Sequence, residues 1–108
     1  MLPKEFRIKR ARFEIIWKKG KRQRLDGGIA SVRLFNNIGH PRVSIVIKKG
    51  ILALATKRNR LRRKLTLLLE KEIKLSSKGI DLVLVVSREP KTPAELEVFK
   101  KSALEQIR

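Results

Sequence analysis

Lys57-Arg58-Asn59-Arg60-Leu61-Arg62-Arg63-Lys64 places six cations and one amide in eight residues. The segment that follows reads as an amphipathic helix. At about 100° per residue, Leu61, Leu65, Leu68 and Leu69 fall on one stripe, Arg60, Arg63 and Lys64 on the opposite side, and Arg62 at the edge. The leucines would hold the helix to a core and the cations would face outward. Positive charge in the opening turns of a helix is opposed by the helix dipole and by self-repulsion. An arrangement locally unfavourable to the fold points to a polyanionic partner.

Composition points the same way. Twenty-eight Lys and Arg against ten Asp and Glu give a net charge of +18 over 108 residues, and the sequence pI is near 11.4. Such a chain repels itself and concentrates on nucleic acid. A membrane partner is disfavoured, because no apolar run approaches the roughly 20 residues of a spanning helix. Met1 to Arg12 carries charges where a signal peptide needs an apolar stretch, so the expected location is the cytoplasm. With no cysteine, disulfides, thiolate zinc sites and Cys nucleophiles are excluded together. The 42% hydrophobic content separates the chain from disordered basic tails. Its length suits one domain, residues 1–108, with one modest core.

The elements that must position these residues are legible in part. Leu2 to Arg12 is a basic, partly extended arm that Leu2, Phe6 and Ile8 tack onto a surface. Ala11 to Lys19 carries Phe13, Ile16 and Trp17 at helical spacing and is stopped by Gly20. Lys18 to Arg24 is a second charge run, followed by the turn Asp26-Gly27-Gly28. Ile29 to Phe35 alternates as a strand covered on one side, and Val43 to Ile47 is its return strand, most simply an antiparallel hairpin. Thr56 is the expected N-cap of the long helix, which runs to about Ile73. Leu82 to Val86 is the uninterrupted apolar run of a central strand, and strand–helix–strand order implies that it lies parallel to the Val43 strand. Thr92-Pro93-Ala94-Glu95 combines a capping box with proline at the first helical position. Leu96, Phe99, Ala103 and Ile107 form the apolar stripe of the last helix.

The chain offers no self-contained hydrolytic centre. Its carboxylates are scattered, and none combines with His40 at a catalytic or metal-ligand spacing. His40 reads as a solvated loop residue, and Asp81 as a strand-start hydrogen-bonding group rather than a metal ligand. No catalytic and no metal-binding residue is assigned.

Taken in order, the basic arm, Phe13-x-x-x-Trp17-x-x-Gly20, two strands, Lys48-Lys49, Ala55-x-x-Arg58-Asn59-Arg60-x-x-Arg63, the Asp81-led strand and a final helix resemble the protein subunit of bacterial ribonuclease P. The resemblance spans nearly the whole chain, with Arg-Asn-Arg its most specific element. It implies an α/β sandwich, α+β in class, similar to the second domain of ribosomal protein S5, with a left-handed strand–helix–strand crossover. It also implies that the catalyst is a partner RNA, ribonuclease P RNA. That RNA would hydrolyse precursor tRNA with Mg2+ held chiefly by RNA and substrate, while the protein assists. By position, Arg58, Asn59, Arg60, Arg62, Arg63 and Lys64 would contact the catalytic RNA. Phe13 and Trp17, with Lys48 and Lys49, would belong to a cleft for the single-stranded 5′ leader. Gly50 to Lys57 is longer and more apolar than the family pattern, and Trp17 stands where phenylalanine is usual. The rival reading is a structural RNA-binding protein such as a small ribosomal protein. DNA is not an expected partner, since no second basic helix is spaced for a helix-turn-helix.

Overall fold

The computed structural model describes residues 2–108. Four strands, β1 (Lys21–Leu25), β2 (Ile29–Phe35), β3 (Arg42–Ile47) and β4 (Ile80–Val86), form one sheet in the order β1-β2-β4-β3. Three helices, α1 (Arg10–Lys19), α2 (Ala55–Leu75) and α3 (Pro93–Glu105), complete a mixed α+β fold. A short 3-10 turn, Lys4–Phe6, lies in the N-terminal arm.

β1 is a strand where charge alone was legible. Its first four residues are exposed cations and an amide, so no apolar alternation announces it. Its pairing follows from the turn: Gly27 and Gly28 adopt φ of 89° and 73°, a left-handed path that side chains oppose. The chain folds straight back, and Leu25 faces Ile29 at the start of an antiparallel ladder.

β2 and β3 do not form the expected hairpin. β4 lies between them, antiparallel to β2 and parallel to β3. Burial explains the insertion: every residue of β4 is buried, and a strand apolar on both faces gains most from the centre of a sheet. The parallel pairing of β3 with β4 across α2 is as expected.

β4 side chains alternate between two cores. Ile80, Leu82, Leu84 and Val86 join Val43, Ile45 and Ile47 of β3 against Leu61, Leu65, Leu69 and Ile73 of α2 and Phe99, Ala103 and Leu104 of α3. The principal layers are therefore the sheet and the α2/α3 pair. On the opposite face Val83 and Val85 join Val32 beneath Ile16 of α1, with Phe13, Leu34 and Val46 packed around them. β2 is thus covered on both faces rather than one, and even Ser31 is buried, its hydroxyl facing the Gln106 amide oxygen at 3.5 Å. α1 is attached by the smaller core, where the fully buried Ile16 contributes on the order of 2–3 kcal/mol. Gly20 lets the chain leave α1 against the sheet, since a Cβ there would lie 2.5 Å from the Ile16 carbonyl and 2.7 Å from Val32.

α2 begins one residue before the expected cap. Leu54 is the N-cap and makes no side-chain bond, while Thr56 is already helical. Arg58 supplies the local order instead, its Nη1 donating to the carbonyls of Leu52 and Ala53 at 2.8 and 2.7 Å. That hook pins the apolar segment after β3 to the first turn. α3 starts as expected: Thr92 Oγ1 accepts from the Glu95 N–H and the Glu95 carboxylate accepts from the Thr92 N–H. In the arm, Leu2 is buried and, with Phe6, belongs to the α2/α3-side core, while Ile8 joins the α1 side. The arm thereby runs beside β3, an edge strand whose free backbone groups would otherwise invite foreign pairing.

Candidate nucleic-acid interface

The exposed side of α2 carries the first candidate surface. Leu61, Leu65 and Leu69 are buried, and Asn59, Arg60, Arg62, Arg63 and Lys64 are exposed. No acidic residue stands in the first turn. Among the described residues none of Arg60, Arg62, Arg63 or Lys64 has a carboxylate partner. Arg62 instead donates to the Asn59 side-chain oxygen, which fixes the amide relative to the guanidinium one turn away. Arg58 is half-buried and engaged by the loop carbonyls, so it serves local structure while its neighbours face solvent. Beside them, a groove of about 400 Å³ lies between α2 and β3, lined by Arg58, Asn59, Arg62, Ser44 and Ile45. Guanidinium groups along a groove can hold phosphate oxygens in pairs.

The second surface lies on the other face of the sheet. Phe13 and Trp17, one turn apart on α1, are stacked with ring centroids 5.8 Å apart and planes inclined by 10°. Phe13 is half-buried against the smaller core, whereas Trp17 is 39% exposed. A cation does cover Trp17, but it is Arg22 of β1. Its guanidinium sits 4.4 Å from the indole centroid and donates to the Trp17 carbonyl. Lys48 and Lys49 are exposed just past the end of β3, where the Lys48 N–H extends the ladder to the Val86 carbonyl at 3.3 Å. The fold therefore brings Phe13, Trp17 and Arg22 together and places the Arg58–Lys64 block on the opposite side of the sheet. Arg22 was visible in the sequence only as part of a charge run; the unrecognised strand β1 is what aims it.

A third cluster joins the N-terminal end of α1 to the sheet. Asp81 is fully buried at the start of β4. Arg42 grips it through Nε and Nη2 at 2.7 and 2.8 Å, Arg12 through Nε at 2.6 Å, and the Asn36 amide at 2.9 Å. Burial pushes the Asp81 carboxyl up, but the bonds from Arg42, Arg12 and Asn36 prevail and hold its pKa below the ordinary value. The hydrogen bond to Asp81 likewise raises the Arg42 pKa, against the effect of burial. The hydrogen-bonding role of Asp81 is the one realised, since both its oxygens are occupied. Among the described residues no group of three or more His, Cys, Asp or Glu could hold a metal ion. His40 is less solvated than expected: it is half-buried, with its ring 4.9 Å from that of Phe6. No helix of the described residues is long and apolar enough to cross a membrane.

The family model for ribonuclease P matches residues 2–107. The chain belongs to the ribonuclease P protein family. Solved ribonuclease P proteins share its fold. The Thermotoga maritima protein, in a complex with 1-(4-fluorophenyl)-2-thiourea, superposes with a TM-score of 0.68 at 22% identity, covering 94% of this chain and 96% of that one. The Staphylococcus aureus ribonuclease P protein gives 0.64 at 27% identity, covering 94% and 91%. A mutant of the S. aureus protein with defective mRNA degradation activity gives 0.67 at 24%, covering 96% and 86%. No curated protein matches the sequence significantly. Membership of the ribonuclease P family connects the chain with tRNA processing and with an RNA partner, and makes it a subunit of an endoribonuclease.

Proposed function

We propose that this ribonuclease P protein assists an RNA catalyst in removing the 5′ leader of precursor tRNA. The exposed cations of α2 bind ribonuclease P RNA, and the α1 surface binds the single-stranded leader. The observation that carries this reading is the separation of two unlike surfaces on one family member. Arg60, Arg62, Arg63 and Lys64, without a carboxylate partner among the described residues, line the N-terminal half of α2, and an aromatic pair flanked by Arg22 lies on the other face of the sheet. Structured RNA is met by phosphate contacts that need charge and geometry, which Arg60, Arg62, Arg63 and Lys64 supply. A leader of any sequence needs contacts indifferent to base identity. Trp17 and Phe13 supply these, because every base has a face that stacks, worth roughly 1–3 kcal/mol each. Asn59, held by Arg62, adds an amide able to accept from a sugar hydroxyl or donate to a base edge. Lys48 and Lys49 add charge near the sheet edge. The chain holds RNA and substrate in place; magnesium, if bound by the RNA and substrate, would supply the chemistry of hydrolysis.

The test is cleavage of a precursor tRNA by a bacterial ribonuclease P RNA at low magnesium, with and without the protein. Stimulation of cleavage by the protein, with no cleavage by the protein alone, is the expected result. Binding without stimulation would favour a purely structural RNA-binding role, and cleavage by the protein alone would overturn both readings.

A further inference from the structure

Arg12 and Arg42 do more than neutralise Asp81. One carboxylate faces two guanidinium groups, so the cluster keeps an excess positive charge. Arg12 spends Nε on Asp81 and one Nη2 donor on the Phe35 carbonyl at 2.9 Å. Arg42 spends Nε and one Nη2 donor on Asp81. Each guanidinium has further N–H groups beyond these, and the two side chains remain 28% and 22% exposed. What they face is an open cleft of about 380 Å³, lined by Arg12, Phe35, Asn36, Asn37 and Arg42. Asn36 is itself tied down, donating to Asp81 and the His40 carbonyl and accepting from the Ile38 N–H.

The result is a pair of arginine edges held rigid from behind by a buried carboxylate. That is the arrangement an oxyanion with several acceptor oxygens requires, since the ordering of two long side chains is already complete before the ligand arrives. The cleft also lies on the α1 side of the sheet: Arg12 is the residue before Phe13, and Arg42 and Asp81, paired across β3 and β4, share the strand face of Val46, Val83 and Val85 beneath α1. A second copy of this chain is a poor occupant, because each carries +18.

We infer that the Arg12–Asp81–Arg42 cleft is a phosphate subsite for a single-stranded polynucleotide lying along α1, with Asp81 as the positioning residue. The inference rests on the reading that the α1 surface takes the leader, and extends it by one backbone contact at the N-terminal end of the helix. Base stacking on Phe13 and Trp17 would hold the strand's bases, and the arginine pair would hold its phosphate.

The experiment compares holoenzymes reconstituted with bacterial ribonuclease P RNA. Affinities for leader-bearing precursor and for mature tRNA are measured over a range of salt before cleavage proceeds. Two variants are used. Arg12→Gln removes one guanidinium, and Asn37→Asp adds a carboxylate at the exposed rim without touching the clamp. The subsite predicts that Asn37→Asp weakens precursor binding roughly tenfold relative to mature tRNA. It also predicts that Arg12→Gln lowers the salt slope for the precursor by about 0.7, the value for one phosphate contact to a single strand. If both variants keep the wild-type preference for the precursor and its salt slope, the clamp is structural only and the inference falls alone. Equal losses for both substrates would place the contact on the catalytic RNA or on a protein partner and overturn it too. A wild-type holoenzyme with no preference for leader-bearing precursor would remove the parent reading, and this one with it.

Discussion

Asp81 shows how much one carboxylate decides in a chain with this excess of cations. It fastens α1, the β2 end and β3 to β4 through Arg12, Asn36 and Arg42. Asp81→Asn should cost about 3 kcal/mol, because it leaves two guanidinium groups gathered without their counter-charge; thermal melting at neutral pH measures it. The folded carboxyl titrates below its unfolded value. Its contribution is therefore complete above the unfolded pKa of about 3.9 and disappears as the pH falls through the lower, folded value. The wild-type melting temperature should drop in that acid range, and the drop should be smaller in Asp81→Asn. Trp17 belongs to a different class, exposed and stacked rather than buried. Trp17→Ala should weaken holoenzyme binding of a leader-bearing precursor roughly 5- to 150-fold, the loss of one base stack. Binding of mature tRNA should stay unchanged; equal losses would mean that the indole only supports α1.

At the scale of the element, α2 divides its work along its circumference. Its buried leucines fix the helix on the sheet, and Arg60, Arg62, Arg63 and Lys64 occupy the exposed arc of its N-terminal half. The N-terminal half carries the charge without a single acidic neighbour in the first turn, an arrangement that a helix tolerates better when an anion is bound. Arg60→Ala and Arg63→Ala should each weaken affinity for the catalytic RNA and lower the steepness of its salt dependence by roughly 0.7 to 0.9, since one fewer counterion is released. Filter binding of the RNA at several salt concentrations reads this directly. An unchanged slope in both variants would remove the phosphate contacts from this face. Arg58 should behave differently: bonded to the Leu52 and Ala53 carbonyls, its replacement should lower stability as well as binding.

For the whole molecule, +18 charges are gathered on a body with a radius of gyration of 12.9 Å. The screening length at physiological salt is about 8 Å, so neighbouring surface cations repel one another appreciably. Multivalent anions that bind the folded surface should stabilise it by mass action. Sodium sulfate should raise the melting temperature more than sodium chloride at equal ionic strength, and equal shifts would show that general screening is sufficient. The same repulsion accounts for the separation of surfaces, since cations spread over both faces of the sheet cost less than one continuous patch.

Local patterns determined much of this protein. The α2 stripe, the α3 capping box, the buried run of β4 and the Arg58–Lys64 block follow from spacing within a few residues, and these features hold in three dimensions. Phe13 and Trp17 were legible as a helical pair for the same reason. Only the tertiary structure decided which strands meet. β1 has no apolar alternation to betray it, and β4 displaces the simplest hairpin because a strand buried on both faces gains most at the centre of the sheet. The N-cap of α2 is Leu54 rather than Thr56, and the loop before it is held by Arg58, whose side chain reaches back five and six residues to the Ala53 and Leu52 carbonyls. The pairing of Arg12 and Arg42 with Asp81 joins residues 69 and 39 positions apart. Such contacts arise from strand order and register, which no local spacing encodes.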